Sequence, residues 1–74
     1  MRQPLDERSE MADRLLMWLE EHDMSARRFA MLAGVSESTM YTFLARKGAM
    51  SLRTLTRICK VHRISADWLL GLED

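Results

Sequence analysis

A single cysteine, Cys59, excludes an intramolecular disulfide and suits a reducing compartment. One proline and three glycines leave little material for hairpin turns. No apolar run approaches the roughly 18 residues of a membrane span, and the opening MRQPLDERSE lacks the apolar stretch of a signal peptide. A cytoplasmic protein with no membrane contact is expected. Cys59 and His62 stand one helical turn apart, but His22 is the only other nitrogen or sulfur candidate, and a structural zinc site needs four ligands. Neither a metal nor a cofactor is expected, and Cys59 reads as a buried structural cysteine. The chain has no catalytic triad or phosphate-binding glycine loop, and little room for a pocket. It therefore reads as neither an enzyme nor a small-molecule binder.

Excess charge of one sign is also missing, since 11 Lys and Arg offset 11 Asp and Glu. The zero total conceals a segregation along the chain. Residues 1–23 carry a balance of −4, residues 24–60 one of +6 and residues 61–74 one of −2. Surface potential follows local charge rather than the total, so the middle of the chain can still attract phosphate.

What is present is helical material: Leu, Met, Ala, Arg and Glu, with 47% hydrophobic residues overall. At 74 residues the chain makes one domain, near the lower limit for a core without staples. Residues 1–8, with Pro4 and mixed charges, read as a loose arm before a domain spanning 9–74. Helical spacing of Met11, Leu15, Trp18 and Leu19 predicts a first helix from Ser9, its cap, to His22. Ser25 caps a second through Ala33, with Phe29, Ala30 and Ala33 inward and Gly34 at its end. Ser36 caps a third to about Arg46, with Met40, Phe43 and Leu44 inward and Glu37, Ser38, Tyr41 and Thr42 outward. Ser51 caps a fourth with Leu52, Leu55, Ile58 and Cys59 inward, and Ser65 caps a short fifth from Ala66 to Leu70. His22 and His62 read as surface residues near helix ends.

Two short helices joined by a turn containing glycine are the general form of a helix-turn-helix. Ala30 is small where the helices cross, Gly34 permits a positive φ, and Met40 and Phe43 anchor the second helix. With a serine at each cap, the stretch from Ser25 to Leu44, then Ser51 to Leu55 and Ile64 to Gly71, resembles the Cro/phage-repressor (lambda-repressor-like, XRE-type) helix-turn-helix family over roughly residues 12–72. The resemblance implies an all-α, compact five-helix domain whose second and third helices form the motif. It implies a sequence-specific transcriptional regulator of phage or bacterial type, a repressor, acting as a homodimer on double-stranded DNA. The alternative is a protein-interaction module on the same fold without DNA binding.

Four positions depart from the family pattern. Ala26 stands where the family often has a phosphate-holding Gln, and Arg46 where Gly is frequent. Leu19 and Leu44 occupy the sites of a frequent Arg–Glu pair. A matched apolar exchange avoids a stranded buried charge, so the two leucines are expected to meet.

By geometry and by resemblance, Glu37, Ser38, Thr42 and Tyr41 are the candidates for base edges in the major groove. Ser25, Arg28, Ser36, Thr39, Arg46 and Lys47 are those for phosphates. Arg53 and Arg57 have a weaker claim. Leu69 and Leu72 are the candidates for a dimer contact, because one small module offers little specificity alone. With no room for a separate sensor domain, control is expected from concentration, competition for sites or another protein.

Overall fold

A computed structural model describes residues 7–72 of the chain. Five helices follow one another: α1 (Glu7–Glu21), α2 (Ala26–Ala33), α3 (Glu37–Leu44), α4 (Leu52–His62) and α5 (Ala66–Leu69). There is no strand among the described residues. Residues 1–6 of the expected arm lie outside those residues, while Glu7 and Arg8 belong to α1. Ser9 therefore stands inside the first helix, not at its cap.

The other four helices start on the serines their sequence predicts. Ser25, Ser36, Ser51 and Ser65 each hold an extended backbone and accept the N–H three residues on, at 3.1–3.2 Å. Each satisfies a donor that has no intrahelical partner and stabilises its helix by about 1 kcal/mol.

All five helices end in one motif. The N–H groups of Met24, Val35, Lys47, Ile64 and Leu72 each reach back to the carbonyl five residues earlier, at 2.7–3.1 Å. The residue before each of them is left-handed: Asp23, Gly34, Arg46, Arg63 and Gly71, with φ between 48° and 77°. This is the Schellman closure, which satisfies carbonyls at the helix end. In only two of the five cases is the left-handed residue the glycine for which that conformation is cheap.

The core is built from Leu15, Phe29, Met40, Phe43, Ile58 and Leu69, all fully buried, with Ala12, Ala30 and Ala33 filling the narrow gaps. α3 packs on α1 and α2, α4 on α2, and α5 on α1. Leu19 is buried in this core, and Leu44 packs half-buried against the same cluster. Ala26 also packs against the core from the first position of α2.

Three readings need correction. Leu52 is 77% exposed, not inward. It opens α4, where the apolar stripe of Leu55, Ile58 and Cys59 has run past the edge of the core. Cys59 is half-buried, not fully enclosed. His62 is not a surface residue: its ring stacks on Phe29 at 3.9 Å, nearly parallel, and its Nε2 lies 2.9 Å from the Phe29 carbonyl oxygen. Trp18 meets the same two rings edge-on, while His22, which is exposed, stacks on Trp18 at 3.9 Å. These four rings tie α1, α2 and α4 together.

Candidate nucleic-acid interface

The turn between α2 and α3 is three residues long, Gly34, Val35 and Ser36, and it is held from outside the motif. Nη1 of Arg57 on α4 donates to the Gly34 carbonyl oxygen at 3.1 Å. With Met40 and Phe43 in the core, α3 cannot roll, and its outer face is fixed by its inner one. That outer face is open: Glu37, Ser38, Thr39, Tyr41 and Thr42 are all exposed.

The hydroxyls at the start of α3 are wired to one another. Ser36 Oγ accepts the Thr39 N–H and donates its proton to Thr39 Oγ1 at 2.6 Å. One hydroxyl of this pair therefore keeps a proton for a phosphate oxygen. The first N–H groups of α3 complete a donor-rich end, since the earliest intrahelical bond runs from Met40 to Ser36. At α2, Ser25 Oγ accepts from the Arg28 N–H at 3.1 Å and retains its proton, and the Arg28 side chain is exposed.

Thr42 stands near the far end of α3, and its methyl faces the 47–50 loop. A Cβ built on Gly48 would lie only 2.9 Å from that methyl carbon. Gly48 is therefore the residue that allows the loop to pass close to α3.

Two ion pairs shape the charge around this face. Arg27 Nε on α2 lies 3.8 Å from Glu37 Oε2 on α3. The Arg46 guanidinium, just after α3, donates to the Asp13 carboxylate of α1 and to the Leu44 carbonyl oxygen. Arg46 thus joins the end of α3 to α1 from the position where a glycine would be at ease. Lys47 beside it is exposed.

The predicted base-facing residues therefore share one exposed helical face, and the predicted phosphate residues divide between its two ends. Ser25, Arg28, Ser36 and Thr39 belong to the first turns of α2 and α3; Arg46 and Lys47 follow α3. Leu69 is fully buried and closes the monomer core beside α1, so its side chain is not offered to a second copy, whereas Leu72 is 71% exposed. Arg27 and Arg57 have contacts that spacing alone did not reveal, because their partners lie across a turn or on another helix.

Burial pushes the Cys59 thiol above the usual 9.0 and keeps it protonated. Among the described residues no group of three or more His, Cys, Asp or Glu side chains could hold a metal ion. No described helix is long and apolar enough to cross a membrane.

Comparison with known families matches residues 14–74 to the Cro/C1-type HTH DNA-binding domain. No curated protein and no solved structure matches the chain.

Proposed function

The chain belongs to the Cro/C1-type helix-turn-helix DNA-binding domain family, a DNA-binding rather than an enzyme family, and from that membership we propose that it is a sequence-specific transcriptional repressor. It lays α3 in the major groove of double-stranded DNA and acts in the cytoplasm of a bacterium or on behalf of a phage. The observation that carries this reading is the exposed polar face of α3, held rigid by its buried side and by the Arg57 bond to the turn.

Ser38, Thr42, Tyr41 and Glu37 read base edges. Glu37, which can only accept, selects the amino group of cytosine. Arg28, Lys47, Ser25 and Thr39 grip phosphates together with the N–H groups opening α3. Ser36 contributes through the helix start that it caps. Arg46 reaches a phosphate only by turning from Asp13.

Two copies act on paired half-sites about 10 base pairs apart, or a multiple of that. Leu72, with the exposed Leu70 beside it, supplies the apolar contact between them. Analytical ultracentrifugation of Leu72→Glu tests this: a monomer is expected, and an unchanged dimer would remove Leu72 from the interface.

Selection from a randomised duplex pool near physiological salt tests the whole reading. A two-fold symmetric motif is expected, with one position relaxed in Thr42→Ala. If folded protein enriches nothing and retains no DNA at low salt, the domain is a protein-interaction module instead.

A further inference from the structure

An acid on a DNA-reading face needs an account, since it repels phosphate. Glu37 is the first residue of α3 and is half-exposed. The helix dipole favours it there, but that alone does not orient its carboxylate. The ion pair with Arg27 supplies the orientation. Arg27 lies in the first turn of α2, two residues after the Ser25 cap, and reaches across the turn to place Nε 3.8 Å from Glu37 Oε2.

We infer that Arg27 is a positioning residue for Glu37, so that the ion pair, rather than Glu37 alone, sets the preference for the base it faces. This rests on the DNA reading above. In the free protein both side chains are well solvated, and such a pair is weak. Docking on a duplex removes water from around both groups. The same charges then interact through a lower dielectric, and the pair tightens when the helix enters the groove. Arg27 offsets the repulsion between the carboxylate and nearby phosphates and limits its rotamers. The carboxylate oxygen left unpaired by Arg27 accepts from an amino edge. Cytosine offers one, while guanine presents acceptors that a carboxylate rejects. A cation placed only to hold phosphate would strengthen every sequence equally; Arg27, ion-paired with a reading residue, acts on one base position.

The test is duplex selection with the full chain as wild type, Glu37→Gln, Arg27→Ala and Arg27→Lys, each confirmed folded by circular dichroism. Wild type should prefer cytosine at one position per half-site, and Glu37→Gln should lose that preference. Arg27→Ala should relax the same position by about fivefold or more while preferences elsewhere stand. Arg27→Lys, which keeps the charge, should restore part of it. An Arg27→Ala protein that binds all sequences proportionately more weakly, with a salt slope lower by about one and an intact cytosine preference, would make Arg27 a plain phosphate contact and overturn the inference. Failure of wild type to enrich any sequence would instead overturn the DNA reading, and this inference with it.

Discussion

Arg57 Nη1 donates to the Gly34 carbonyl oxygen at 3.1 Å, so α4 secures the turn that precedes α3. A charged donor on a backbone carbonyl is stronger than a neutral one, but this one is exposed to water. Arg57→Ala should lower stability by about 1 kcal/mol, read as the urea midpoint at constant slope. It should also weaken DNA binding, because the angle between α2 and α3 loosens. An unchanged midpoint together with unchanged binding would mean that the bond contributes nothing in solution.

Arg63 ends α4 at φ 55°, where a side chain crowds its own backbone. Arg63→Gly should raise stability by about 1 kcal/mol in thermal or urea unfolding. Arg46, at φ 62°, carries the same strain but also bonds Asp13 and the Leu44 carbonyl. Arg46→Gly should therefore gain less than Arg63→Gly. Equal gains in the two variants would show that the tie to α1 has no net worth.

The approach of Gly48 to Thr42 leaves no space for a methyl group, with 2.9 Å between a built Cβ and the Thr42 methyl carbon. Gly48→Ala should destabilise the domain by about 1 kcal/mol. In a Thr42→Ser background, which lacks that methyl, most of the loss should vanish. A double-mutant cycle reads the coupling directly, and simple additivity would show that the clash is relieved elsewhere.

Burial holds the Cys59 thiol protonated above its usual 9.0. A thiol whose ionisation is raised by folding contributes stability that is complete below that usual value and is lost as pH climbs through the folded one. Wild type should therefore lose more stability in that alkaline window than Cys59→Ala does. Near neutral pH, iodoacetamide should label native Cys59 far more slowly than the urea-unfolded chain. Equal labelling rates would place the sulfur in open solvent.

The parts of this fold legible in the sequence are those decided within a few residues. A serine accepting the N–H three positions on is local chemistry, and so Ser25, Ser36, Ser51 and Ser65 could be named as caps. Gly34 was legible for the same reason. Helical periodicity found Leu15, Phe29, Met40 and Ile58 but carries no record of where the core stops, hence the exposed Leu52. The left-handed Asp23, Arg46 and Arg63 look like ordinary surface residues, because the closure that needs them is set by the backbone bonds around them. The exposed outer face of α3 follows from its inner one. By contrast, the pairing of Arg27 with Glu37 and of Arg46 with Asp13, 33 positions away, depends on how the helices cross. His62 gave no signal, since stacking on Phe29 leaves no periodic mark.

The segregated charge, acidic along α1 and basic from α2 to α4, makes this neutral molecule an electric dipole. A uniform field pulls a neutral body nowhere but does turn it. Near a polyanion such a molecule rotates first, basic side forward, and is drawn in only where the field steepens. Its capture radius is therefore shorter than that of a cationic protein of equal size. It arrives with its basic segments turned toward the polyanion.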